Sequence, residues 1–114
     1  MFQNSGTECT ELCIKLARRY FFSIGKPHKN RILCVRGAFH GRTLAAIYAS
    51  GSKKMTEGFS PAVSGFDHFT FGSHESLKKK ITKNTAAIMI EPILGEGGIR
   101  VIPDHCLKGL RQLC

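Results

Sequence analysis

The chain has 114 residues with 17 Lys+Arg against 8 Asp+Glu, a formal charge of +9, and 42% hydrophobic residues. This composition excludes a disordered or low-complexity chain, and the length allows one modest domain rather than a two-domain enzyme. No apolar run approaches the ~20 residues of a bilayer span, and Met1-Phe2-Gln3-Asn4 lacks the basic and apolar regions of a secretory signal. The expected setting is the cytoplasm, with no membrane contact.

The first element is a helix. Ser5-Gly6-Thr7-Glu8 has the spacing of a capping box, and Cys9, Leu12, Cys13, Leu16, Ala17 and Tyr20 recur with helical period, predicting the buried stripe. Glu11 and Lys15 are spaced as an i,i+4 ion pair, and Gly25-Lys26-Pro27 ends the helix. Arg31 to Arg36 is an apolar run bounded by charge, predicting a strand covered on both faces. A loop, Gly37 to Thr43, leads to a short helix over Leu44 to Ser50 capped by Thr43. Gly51 to Asp67 reads as a long connection, whose length without periodicity points to a functional or interface loop.

Ser73 to Leu77 opens another short helix, closed by Lys78-Lys79-Lys80, a run that complements the helix dipole. Thr85 to Glu91 is a second buried-type strand, followed by the turn Pro92 to Gly98 and an extended piece Ile99 to Ile102. The final helix enters through Pro103 and places Cys106, Leu107, Leu110 and Leu113 on one face. This order implies an α/β layer with parallel strands and helical crossovers. Both unusual loops, Gly37–Thr43 and Pro92–Gly98, follow a strand at its carboxyl end, where ligands of open α/β sheets bind.

Three constellations can carry chemistry. Gly6 and Thr7 present free amides at a helix N-terminus, with the Ser5 and Thr7 hydroxyls nearby, which suits a phosphate, although a capped helix that binds nothing has the same spacing. Phe39-His40-Gly41-Arg42 combines an aromatic face, an imidazole and a guanidinium that could fork onto a carboxylate. The alternative is that Phe39 belongs to the core and His40 is a hydrogen-bonded structural residue. Glu91 and Glu96 flank the expected crevice and can orient a ligand or neutralise an arginine; nothing else suggests a sugar-cleaving pair. Five cysteines without a ligand cluster give neither a disulfide framework nor a metal site, and Cys9 and Cys13 read as small core residues. The basic stretch from Lys26 to Lys54 holds no acidic residue and could attract phosphate or nucleic acid.

Taken together, Asn4-Ser5-Gly6-Thr7-Glu8, Phe39-His40-Gly41-Arg42-Thr43 and Glu91-Pro92-Ile93-Leu94-Gly95-Glu96-Gly97-Gly98 resemble the class III pyridoxal-phosphate-dependent aminotransferases. Within that class the chain is similar to the branch acting on acetylornithine in bacterial arginine biosynthesis, from end to end. The resemblance implies a partial parallel-sheet sandwich from the large domain of a fold-type I transferase. By position it implies that Ser5, Gly6 and Thr7 cradle the cofactor phosphate, Phe39 stacks on the pyridine ring, and His40 and Glu91 lie beside the cofactor.

Arg42 is implied as the anchor of the substrate carboxylate and Glu96 as the group that neutralises an active-site arginine. The implied reaction moves an amino group between N-acetylornithine and 2-oxoglutarate in a homodimer, with succinyldiaminopimelate as a related substrate. Residues 1–114 would be a fragment of the large domain. The family's N-terminal segment, the strand with the pyridine-nitrogen aspartate, the Schiff-base lysine and the small domain would all lie outside it. No residue is nominated as catalytic, and the expected isolated chain is inactive. A decayed remnant of such an enzyme is the alternative, with a basic nucleic-acid-binding module a distant third.

Overall fold

The computed structural model describes residues 1–114, built on three parallel strands. These are β1 (Arg31–Val35), β2 (Phe66–Phe69) and β3 (Thr85–Met89), in the spatial order β2-β1-β3. Cys34 of β1 is in register with His68 on one side and Met89 on the other. Parallel neighbours require crossovers. Those between β1 and β2 are α2 (Leu44–Ser50) and α3 (Lys53–Thr56), and the one between β2 and β3 is α4 (His74–Lys80). A long helix α1 (Gly6–Ser23) precedes the sheet, and α5 (Asp104–Leu113) follows a two-stranded antiparallel ribbon of β4 (Ile93–Leu94) and β5 (Arg100–Val101).

Side chains of β1 alternate between two apolar layers, as the strand period dictates. Leu33 and Val35 pack with Ala38, Phe69, Leu77 and Leu94 on one face, while Ile32 and Cys34 pack with Ala49 on the other. The expected α/β parallel architecture is therefore present, with β1 buried on both faces.

Several local expectations are corrected. The predicted stripe of α1 is inward only in part: Cys9, Cys13, Leu16 and Tyr20 are exposed, whereas Leu12 is half-buried and Ala17 packs on the sheet, joined by Thr10, Ile14 and Phe21, which the stripe lacks. Ile14 and Ala17 fit the small-residue surface of the sheet, whereas long flanking side chains reach tertiary partners. Arg18 lies over the Phe66 ring and donates to the carbonyls of Asn30 and Ser64. Glu11 accepts from the Thr43 hydroxyl and forms no ion pair with Lys15. Thr43 accordingly sits at the N-cap of α2 without a side-chain cap bond.

The connection after α2 contains elements the sequence reading lacks, α3 and the whole of β2. Phe66-Asp67-His68-Phe69 becomes a strand because it pairs with β1, and the Arg31 guanidinium holds Asp67 at 2.6 and 2.7 Å. β3 is half-buried along its length, because it is hydrogen-bonded to β1 on one edge alone. On α5, Cys106, Leu107 and Leu110 face inward while Leu113 is exposed.

Candidate functional site

The site is assembled where three segments converge: the start of α1, the loop 37–43 after β1 and the turn 92–98 after β3. Because β1 and β3 are parallel, both loops emerge at the same end of the sheet. The start of α1 is fixed by a complete capping box. Ser5 Oγ accepts from the Glu8 amide, and the Glu8 carboxylate accepts from the amides of Ser5 and Asn4. This leaves the Gly6 and Thr7 amides without a protein acceptor at the positive end of an 18-residue helix. An anion with several oxygens is the group such donors match.

Gly41 brings the second segment against the first. Its φ is +119°, in the range that favours glycine, and an added Cβ would lie 2.8 Å from Thr7 Cγ2. Only a glycine lets the loop approach the helix start this closely. The third segment is joined in two places. The Glu91 carboxylate accepts from the Phe39 amide at 2.9 Å, and Gly97 sits so near Gly37 that a Cβ would be 3.2 Å from its carbonyl oxygen.

His40 is 8% exposed, and its Nε2 has no hydrogen-bond partner. Burial holds this imidazole below its ordinary value, against an opposing pull from the Glu91 carboxylate. It is thus neutral at pH 7, with one ring nitrogen able to meet a polar group that completes the site. The guanidinium of Arg42 lies 5.1 Å from the Phe39 ring centroid, so one face of that ring is covered by a cation.

Arg42 and Glu96 line one cleft of about 680 Å³, together with Lys54, Met55 and Phe59 from the connection after α2. That volume is within the range of small-molecule sites. The structure therefore brings Thr7 to the 37–43 loop, Glu91 to Phe39, and Arg42 to Glu96. It does not ion-pair Arg42 with Glu96, since the chain's ion pairs are Arg31–Asp67 and Lys79–Glu75. Sequence reasoning did not place Lys54, Met55 and Phe59 at the site; the signals available were the length of their connection and, for Lys54, its place in the basic stretch.

The family model of class-III aminotransferases matches residues 1–114. The chain is 56% identical over 113 residues to the acetylornithine aminotransferase of Agrobacterium fabrum, covering 99% of this chain and 28% of that protein. It is 50% identical to the acetylornithine aminotransferase of Rhodobacter capsulatus, covering 99% of this chain and 29% of the relative. Among solved structures, an ornithine aminotransferase from Toxoplasma gondii superposes with a TM-score of 0.90 at 29% identity, over 98% of this chain and 27% of that one. That crystal form has partial occupancy of PLP at its active site. The chain thus spans under a third of the length of the curated relatives it matches.

Proposed function

This chain belongs to the class-III aminotransferases, and on that premise we propose that it forms the phosphate cradle, ring wall and carboxylate anchor of an enzyme transferring an amino group between N-acetylornithine and 2-oxoglutarate. The observation that carries this reading is the pair of unmatched amides at Gly6 and Thr7, held against Gly41 of the loop that bears Phe39 and Arg42. Those donors fit the phosphate of pyridoxal phosphate, and the orphaned His40 Nε2 fits a site completed by further polar groups. When bound, the cofactor supplies an aldehyde for the amino group and a ring that stabilises negative charge at the adjacent carbon.

The chain's own residues bind and orient. Ser5, Gly6 and Thr7 would hold the phosphate, and Phe39 would give the pyridine ring an apolar face. Glu91 fixes the Phe39 backbone, keeping that ring in place, and would reach the cofactor's polar edge with its second oxygen. Arg42 would take the substrate carboxylate in a two-point fork, with Glu96 balancing the charge of an arginine in the cleft. No lysine of this chain is assigned the proton-transfer role; the reading takes that amine from outside these 114 residues. The exposed Leu16, Tyr20 and Phe22 on α1 support assembly with a partner subunit, read as a homodimer.

The test is an amide-shift titration of the 114-residue chain with pyridoxamine phosphate and with phosphate-free pyridoxamine. The Gly6 and Thr7 amides are expected to move with the first ligand alone. Equal responses to both ligands, or none, would overturn the phosphate cradle. In parallel, borohydride treatment of the chain with pyridoxal phosphate should label no lysine stoichiometrically, and mass mapping of a single labelled lysine would identify the base this reading places elsewhere.

A further inference from the structure

Away from the cleft, a nucleophile and a base meet beside an apolar cavity. Cys106 stands in the first turn of α5 and His74 in the first turn of α4, the two helices that cover the Leu33 and Val35 face of the sheet. The Cys106 thiol lies 3.9 Å from His74 Nε2, within reach to donate when that nitrogen carries no hydrogen. Both residues line a cavity of about 80 Å³ whose remaining wall includes Val35, Phe69, Ile90, Ile102 and Leu110. Cys106 is half-buried there and His74 is exposed, so the pair is open to solvent on one side and to the cavity on the other. Cys9, Cys13 and Cys114 are exposed and contact no imidazole, and Cys34 is closed in the core. Only Cys106 combines an imidazole contact with apolar space.

We infer that Cys106 is a modification site for soft electrophiles with a short apolar tail, of the α,β-unsaturated carbonyl class, with His74 as its proton acceptor. Neither residue belongs to the proposed cofactor and substrate site, so the inference stands apart from that reading. A thiol becomes a nucleophile when its proton has a base within reach, and His74 supplies one. The five apolar side chains of the cavity carry no polar atoms, so the space takes an alkyl tail and rejects a charged group. In the addition, the Cys106 sulfur bonds to the β-carbon while the thiol proton passes to His74 Nε2. The π pair of the C=C bond moves toward the carbonyl oxygen, and the proton held by His74 ends on the α-carbon, so no oxidant or reductant is consumed. The adduct fills space that borders Val35 and Ile90, each of which stands two residues ahead of a site loop.

Two ketones with the same reacting group and different tails, 3-buten-2-one and 1-hexen-3-one, test this on the 114-residue chain, with adducts at each cysteine followed in time by peptide mass mapping. Exposed Cys114 serves as the reference thiol within the same molecule. The Cys106-to-Cys114 rate ratio should be about tenfold higher for the longer ketone, the effect of placing two further methylenes in the cavity. His74→Gln, at an exposed position where the fold is not at stake, should slow Cys106 roughly tenfold with both ketones and leave Cys114 unchanged. Leu110→Phe fills the cavity from α5 and should bring the two ratios within about twofold. Equal ratios for the two ketones in the wild type, which an unfolded chain would also give, would overturn the inference. So would an unchanged Cys106 rate in His74→Gln, or a tail preference that survives Leu110→Phe.

Discussion

β1 and β3 are both five-residue strands rich in apolar side chains, yet one is closed and the other open. Ile32, Leu33, Cys34 and Val35 are 0 to 1% exposed, whereas every residue from Thr85 to Met89 is half-buried. β1 is hydrogen-bonded on both edges and covered on both faces, while β3 pairs on one edge. The loops inherit the difference. After β1, Ala38, His40 and Gly41 are buried; after β3, Pro92, Ile93, Gly95, Glu96 and Gly98 are exposed. The two loops make the two sides of the candidate site, a buried wall and an exposed rim. The exposure of each loop thus follows the place of the preceding strand in the sheet, with Arg42 and Thr43 at the open end of the first and Leu94 as the buried residue of the second.

The sharpest contrast is chemical. Burial pushes the Cys34 thiol up to about 12, against an ordinary 9.0, while Cys9, Cys13 and Cys114 are exposed. The thiolate population of Cys34 is then about a thousandfold lower, before any steric protection is counted. Iodoacetamide under native conditions should label Cys9, Cys13 and Cys114 and spare Cys34, as read by peptide mass mapping. Protection of Cys9 and Cys13 instead would mean that α1 presents the stripe predicted from its sequence. Truncation extends the contrast to stability. Leu33→Ala should cost about 3 to 4 kcal/mol, and Ile88→Ala on β3 roughly half of that, because Leu33 leaves a closed cavity and Ile88 a solvated one. Urea unfolding of the two variants measures both, and equal losses would show β3 to be as enclosed as β1.

The loops can be set against each other through their glycines. Gly41→Ala forces a Cβ onto a residue at φ +119° and into Thr7, so it should cost about 2 kcal/mol and impair the proposed phosphate binding at Gly6 and Thr7. Gly95→Ala meets no heavy atom within 4 Å and should change stability by less than about 0.5 kcal/mol. Thermal unfolding with pyridoxamine phosphate titration reads both effects. A neutral Gly41→Ala would mean that loop and helix can separate at no cost, and that their close approach does not depend on the missing Cβ.

Legibility in the sequence followed the same division between local and long-range causes. The start of α1 was readable because Ser5 and Glu8 satisfy each other's amides within one turn. Its buried face was not, because Cys9, Cys13, Leu16 and Tyr20 form as regular a stripe as Thr10, Ile14, Ala17 and Phe21, and only the sheet decides between them. β2 was invisible for a related reason: a four-residue segment with Asp67 and His68 at its centre becomes a strand by pairing with β1. The loops after β1 and β3 stand out in the sequence as candidate site elements, because glycines and charged groups directly after an apolar strand break the pattern of a core segment. Lys54 is marked in the sequence only as one cation of a long basic stretch, and its place beside Arg42 depends on α3 folding back onto the loop after β1.

The smallest expected effect concerns the pair that ties β2 to β1. Hydrogen bonding from Arg31 holds the Asp67 carboxyl below its ordinary 3.8, so the folded chain releases this proton at lower pH than the unfolded chain. The stability it confers is complete above that ordinary value and is lost as pH falls through the folded one. His68, whose ring nitrogen lies 3.0 and 3.2 Å from the carbonyl oxygens of Tyr48 and Ala49, is pushed down by burial, as is His40. For these imidazoles the unfolded chain takes up protons first, so stability is complete above about 6.5 and declines below it. Acid titration of the unfolding free energy should therefore show two declines, one beginning near 6.5 and one below 3.8. Asp67→Asn should remove the lower decline and leave the upper. Since the Arg31 side chain is about a third exposed (36%), the Asp67 decline should be the shallower one. Loss of both declines in Asp67→Asn would mean that the upper decline depends on the Asp67 carboxylate rather than on the burial of the histidines, and the closed side of the sheet would then depend on its polar edge.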